Sequence, residues 1–144
     1  MKYLKYGFLV FFLFLCDQIS KYLLQGRDIS LFPYVSFQYI ENTGAAFSLF
    51  QGYNFALIFI SLLVFIFVLY YFLEYPLALS FILAGLLGNL FDRIFLGFVR
   101  DFIALGIWPI FNLADTWNTI GIALLLYLFW KEEKLNKALS HGKK

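Results

Sequence analysis

Gly85-Leu-Leu-Gly-Asn-Leu-Phe-Asp-Arg-Ile-Phe-Leu-Gly-Phe-Val-Arg-Asp-Phe-Ile103 begins as a segment fit for a lipid bilayer and then gathers Asn89, Asp92, Arg93, Arg100 and Asp101. An ionisable side chain inside a membrane costs about 2.5–3.5 kcal/mol on insertion scales, so such groups turn inward and either pair or do chemistry. On a helical wheel started at Asn89, Arg93 falls at about 40°, Gly97 at about 80°, Arg100 at about 20° and Asp92 at about −60°. A continuous helix would therefore turn these residues toward a bundle, with Asp92 expected to pair with Arg93. Asp101 would fall at about 120°, so it either points elsewhere or belongs to a segment that has left helical geometry.

The rest of the chain sets the context. Of its 144 residues 62% are hydrophobic, 23% aromatic and only 14% charged, a membrane composition. Apolar windows cover residues 3–24, 53–73, 76–95 and 113–130, each near the ~20 residues that a helix needs to cross the hydrocarbon core. Four spans put both termini on one side. Lys2 and Lys5 precede the first span, and Lys131, Lys134, Lys137, Lys143 and Lys144 follow the last, so the positive-inside rule predicts cytoplasmic ends. The expected architecture is an all-α membrane protein: a four-transmembrane-helix bundle in one integral membrane domain, residues 1–144, with a small β-rich segment on the outer surface. The lysines read as anchors to membrane lipids, and nothing in their pattern calls for a nucleic acid. The N-terminal run ending at Cys16 resembles a signal peptide, but Phe14 and Leu15 are too large to precede a cleavage site. An uncleaved first span is expected.

On the outer side, segments 25–52 and 96–112 remain. Val35-Ser-Phe-Gln-Tyr-Ile-Glu41 alternates apolar with polar before Asn42-Thr-Gly44 supplies a turn. That predicts a folded cap with a small sheet or hairpin. The one cysteine, Cys16, and the one histidine, His141, in a lysine-rich tail, leave no material for an internal disulfide, a multi-Cys metal site or a His-based triad. No cofactor or metal is expected.

The remaining polar residues collect at the outer boundary. Asp17 and Lys21, at i and i+4, have the acid-before-base order of a helix ion pair, or could meet a substrate or headgroup. Asn112, Asp115 and Thr119 form a stripe at the outer start of the last span. Asp115 alone could be a helix cap or a first-turn acid, but it has a prospective partner in Asp101 at similar depth. Two carboxylates at a semi-dry boundary repel when both are ionised, so one keeps a proton near neutral pH. That division suits peptide hydrolysis: one takes a proton from water while the other donates to the scissile carbonyl. A small transporter or proton channel is the alternative, yet it would need polar groups through the full depth of the membrane. The cytoplasmic halves of the spans carry almost none.

Four blocks carry a family resemblance: Asp17-Gln-Ile-Ser-Lys21, Glu41-Asn-Thr-Gly-Ala-Ala-Phe-Ser48, Gly88-Asn-Leu-Phe-Asp-Arg93 with Gly97-Phe-Val-Arg-Asp-Phe-Ile103, and Phe111-Asn-Leu-Ala-Asp115. In order and spacing they resemble the lipoprotein signal peptidases, or signal peptidase II, a family of aspartyl peptidases, over the chain from Asp17 to about Gly121. The resemblance implies a catalytic dyad of Asp101 and Asp115, with Asp17, Lys21, Asn42, Gly44, Asn89, Arg93, Asn112 and Ala114 supporting the pocket or binding substrate. It also implies a multi-pass enzyme of the bacterial inner membrane with an outward active site. Its substrates would be diacylglyceryl-modified prolipoproteins, cleaved on the N-terminal side of the modified cysteine. A monomer sensitive to globomycin-type inhibitors is expected. Ser20 stands where the family often has Thr, and Arg100 and Trp117 occupy places that look variable; none of these touches the dyad.

Overall fold

The computed structural model describes residues 3–44 and 52–141, without the side chain of His141. Ala45–Ser48 of the second motif block, together with Lys2, Lys143 and Lys144, lie outside the described residues. Four helices organise the chain: α1 (Leu4–Leu24), α2 (Asn54–Tyr71), α3 (Pro76–Phe95) and α4 (Leu113–His141). Each is long and apolar enough to cross a membrane. Pro76 opens α3 at a position whose N–H has no helical acceptor to lose. At its other end Gly97, with φ at +85°, turns the chain out of the helix in a conformation that favours glycine.

Helix α3 packs on α1, α2 and α4, and half of its apolar stretch is buried, against 6% for α2. Most of α2 is apolar all round and exposed, as expected of a helix that faces lipid. Helices α3 and α4 approach each other closely where Gly85 and Gly121 stand in place of bulkier residues. A Cβ on Gly121 would stand 2.6 Å from Ile82 Cγ1 and 2.8 Å from the Ala78 carbonyl oxygen. The buried apolar core, Val10, Leu13, Val68, Leu79, Leu83 and Ala84, fills the remaining space among α1, α2 and α3. Helix α4 continues well beyond the predicted end of its span. Its 29 residues reach about 43 Å, more than the ~30 Å hydrocarbon core requires. The lysine-rich tail is helical because Lys, Glu, Leu and Ala are good helix formers and Glu133 pairs with Lys137 one turn on.

At the end of the bundle where α1 and α3 finish and α4 begins lies an antiparallel three-stranded sheet in the order β1 (Asp28–Phe32), β2 (Val35–Asn42) and β3 (Val99–Leu105). The first outer segment supplies the β1–β2 hairpin, and the second, read from the sequence as a loop, supplies β3. The helical wheel that grouped Arg100 with Asn89 and Arg93 therefore does not hold. The helix stops at Phe95, and Arg100 and Asp101, now successive residues of a strand, point to opposite faces. Strand β2 carries an irregularity between Phe37, opposite Ile103, and Ile40, opposite Asp101. Such bulges re-aim side chains beside functional sites.

Candidate active site

The sheet, the C-terminal end of α3 and the N-terminal end of α4 border a cavity of about 420 Å³, lined among others by Asn42, Asn89, Arg93, Asp101 and Asp115. Asp101 arrives on β3 and is 2% exposed. Asp115 arrives from the first turn of α4. Among the described residues neither carboxylate meets a cation at salt-bridge distance; each is held instead by amide N–H groups.

The start of α4 explains this. The Asp115 N–H donates to Asn112 Oδ1 at 3.0 Å, while the Asn112 N–H donates to Asp115 Oδ2 at 3.2 Å. That is a reciprocal capping box with Asn112 at the cap. Because Asn112 Oδ1 is occupied by a donor, its Nδ2 must face outward, where it donates to Asp101 Oδ1 at 2.6 Å and Asn89 Oδ1 at 3.1 Å. Asn89 is oriented in the same manner. Its Oδ1 accepts from Lys21 Nζ at 3.0 Å, so its Nδ2 is turned to Asp115 Oδ1 at 2.8 Å. Asn42, diagonal to Asp101 across the sheet, donates to Asp101 Oδ2 at 2.9 Å and accepts the Gly44 N–H at 2.9 Å. Asp115 thus caps α4 and lines the cavity with one side chain.

Each carboxylate oxygen of the pair carries one of these N–H donations and keeps lone-pair capacity for a further partner. Burial is the main influence on Asp101, and the nearby Asp115 charge adds to it. Donation from Asn42 and Asn112 and the charge of Lys21 oppose them, and the balance holds the Asp101 carboxyl up to about 7.

Not every residue singled out in the sequence reaches this cavity. Asp17 and Lys21 are fully buried behind it, 2.8 Å apart, so neither meets a substrate directly. Asp17 Oδ1 accepts the Ala114 N–H at 2.8 Å and so satisfies one of the open donors of α4. A Cβ on Gly88 would stand 2.5 Å from Asp17 Oδ2, which leaves that position to glycine. Gly44 contributes its carbonyl, which accepts from Arg93 Nη2 at 3.1 Å. The expected Asp92–Arg93 pair is not formed. Successive residues of a helix point about 100° apart, and Asp92 turns to Arg100 at 2.7 Å and Lys21 at 3.3 Å, while Arg93 lines the cavity. The sequence reading missed Gln18 and Arg100 as members of this ion cluster, and Trp108, Pro109 and Ile110 as part of the cavity wall. The wheel gives Arg100 the Asn89 face of a helix that in fact ends at Phe95, Gln18 is a neutral residue within α1, and Trp108, Pro109 and Ile110 lie between β3 and α4, where no helical periodicity marks them. Among the described residues no cluster of three or more His, Cys, Asp and Glu side chains could hold a metal ion. The chemistry available here is that of two amide-cradled carboxylates.

Comparison with known proteins agrees with the architecture. A sequence profile described as Signal peptidase (SPase) II matches residues 9–131. A lipoprotein signal peptidase of Clostridium novyi is 37% identical, over 88% of this chain and 97% of its own. One from Thermodesulfovibrio yellowstonii is 40% identical, over 88% of this chain and 95% of its own. A bacterial membrane enzyme structure, solved by the in meso method at 2.3 Å resolution, superposes with a TM-score of 0.84 at 29% identity, covering 90% of this chain and 89% of that one. A second, at 1.9 Å resolution, gives a TM-score of 0.78 at 30% identity, covering 87% and 92%. With four membrane-crossing helices and a profile match through most of its length, this chain belongs to the signal peptidase II family.

Proposed function

We propose that this protease of the bacterial membrane acts as an aspartyl endopeptidase on prolipoproteins, removing the signal peptide on the N-terminal side of a diacylglyceryl-modified cysteine. The observation that carries the reading is the convergence of Asp101 and Asp115 on one cavity beside the ends of α3 and α4, each cradled by side-chain or backbone N–H groups. One carboxylate takes a proton from water as the water attacks the scissile carbonyl carbon, and the other donates its proton to the carbonyl oxygen; from the resulting gem-diol the first carboxyl gives its proton to the leaving nitrogen as the C–N bond breaks, and the second takes one back from a diol hydroxyl. Asp101 suits the protonated role, because its carboxyl is held up to about 7. Lipid-modified substrates favour a hydrolase of this design, since each acyl CH₂ withdrawn from the bilayer costs about 0.8 kcal/mol. The carboxylates must therefore come to the lipid boundary. A gel-shift assay of the purified protein with a diacylglyceryl-modified precursor, beside the unmodified one, tests the reading. Only the modified precursor should shorten; equal cleavage of both would reject the substrate assignment.

The same chemistry sets a pH profile. Below about 7 Asp101 retains its proton, and as pH rises through that value the acid is lost and turnover falls. At the acid extreme both carboxyl groups are protonated and no base remains, so a plot of kcat against pH should be bell-shaped. The two apparent values belong to the pair. A flat profile from pH 5 to pH 9, roughly the range in which such a dyad should respond, would count against it.

Orientation belongs to the proposal as well, with both termini cytoplasmic and the sheet outside. Gln38 on β2 and Lys137 on α4 are both exposed. In a chain without Cys16, Gln38→Cys should react with an impermeant maleimide on intact cells, and Lys137→Cys only after permeabilisation. The reverse pattern would invert the topology.

A further inference from the structure

We propose that Arg100 is a positioning residue for the dyad: by clamping the face of β3 opposite the cavity onto α3 and α1, it sets the aim of the adjacent Asp101. The inference rests on the dyad reading above and adds to it a residue that the family pattern does not single out.

The geometry is that of a strand pinned on one face. Arg100 makes three donations to one carboxylate: its N–H to Asp92 Oδ2 at 3.0 Å, its Nε to the same oxygen at 3.2 Å and its Nη2 to Asp92 Oδ1 at 2.7 Å. A fourth, from Nη2 to Gln18 Oε1 at 2.8 Å, ties the strand to α1. Two parallel donations from a planar guanidinium fix direction as well as distance, which an ammonium cannot do. Glu41 is the cross-strand neighbour of Arg100 and would be its ordinary surface partner. The buried contact with Asp92 is formed instead, and Arg100 is 7% exposed. Since successive strand residues point to opposite faces, locking Arg100 inward turns Asp101 toward the cavity.

The clamp belongs to a larger cluster that reaches the second carboxylate too. Asp17, Lys21, Asp92 and Arg100 form a buried set of two acids and two bases, with Lys21 bridging Asp17 and Asp92. Lys21 holds Asn89, which holds Asp115, and Asp17 holds the Ala114 N–H beside Asp115. One neutral cluster thus references both aspartates to the same helices. Arg100 is the arm that serves Asp101, and it is the one that acts through strand geometry alone.

The test compares Arg100→Lys with the parent, both purified as the full chain in detergent and assayed with a diacylglyceryl-modified precursor. Lysine keeps the charge but loses the fork. The variant should melt within a few degrees of the parent, keep its KM, and lose kcat by about 10- to 100-fold, the scale expected when a reacting group is misplaced by about an ångström. The side-chain amide NMR signals of Asn42 and Asn112, which contact Asp101 directly, should shift more than that of Asn89, which donates to Asp115 and meets Asp101 only through Asn112. Gln18→Leu, which removes the tie to α1 together with the Gln18 Nε2 donations to Asp17, Asp92 and the Gly88 carbonyl but leaves the Arg100–Asp92 fork in place, should move the same two signals by less. Parent-like kcat per folded molecule with unmoved Asn42 and Asn112 signals would overturn the proposal, as would a loss confined to folded yield. Asp101→Asn, run in parallel, separates the two layers. If it turns over like the parent the dyad reading itself fails, whereas an inactive Asp101→Asn beside a fully active Arg100→Lys rejects the positioning role alone.

Discussion

Asp101→Asn and Asp115→Asn should each lower kcat by about 10²–10⁴, the usual worth of a general acid or base, while the protein still folds and still binds lipid-modified precursor. Either amide removes the shared proton that the mechanism moves. The structure also predicts a secondary cost. Both oxygens of each carboxylate accept N–H donations, from Asn42 and Asn112 on Asp101 and from Asn89 and Asn112 on Asp115. An amide offers only one acceptor oxygen, so one donor in each variant loses its partner, at about 1–3 kcal/mol. Melting temperature should therefore fall modestly in both, and single-turnover rates corrected for folded protein are the measurement that matters. Correct cleavage by either variant with parent-like kinetics would show that the dyad mechanism is wrong.

Asp92→Ala should fail differently, by losing the fold before it loses the chemistry. From sequence, Asp92 is expected to pair with Arg93, so that Asp92→Asn keeps more turnover than either Asn variant of the dyad. In the structure it is fully buried and is the shared partner of Arg100 and Lys21, with Gln18 Nε2 at 3.4 Å. Removing it leaves two buried cations with Asp17 as the one carboxylate in the cluster. Breaking a buried pair from one side costs about 3–5 kcal/mol, because a charge remains in the interior without compensation. The expected outcome is a large drop in monodisperse yield and melting temperature, with Asp92→Asn intermediate because it can still accept from one donor. An Asp92→Ala protein that melts with the parent would mean that water reaches the cluster and that the buried charges are not held as described.

Much of the architecture is decided by sequence alone, because a bilayer leaves few options: every backbone polar group within it must bond internally, so a run of about 20 apolar residues becomes a helix. Four such runs and the alternating pattern of β2 follow from residue order and local chemistry. The clustering of Asp17, Lys21, Asn89, Asp101, Asn112 and Asp115 near one boundary is also visible there, since depth in a membrane is nearly proportional to position along a helix. Partnership is not visible. The end of α3 depends on Gly97 and on the sheet that receives the chain beyond it, so Arg100 passes from a helical face to a strand and takes Asp92 from Arg93. The orientation of the Asn89 and Asn112 amides, and hence the arrangement around both carboxylates, depends on Lys21, Asp101 and Asp115 meeting from α1, β3 and α4. Local propensity reports what a segment can form, whereas the pairing of buried charges is settled by which segments the three-dimensional packing brings within about 3 Å of one another, and only the tertiary structure contains that distance.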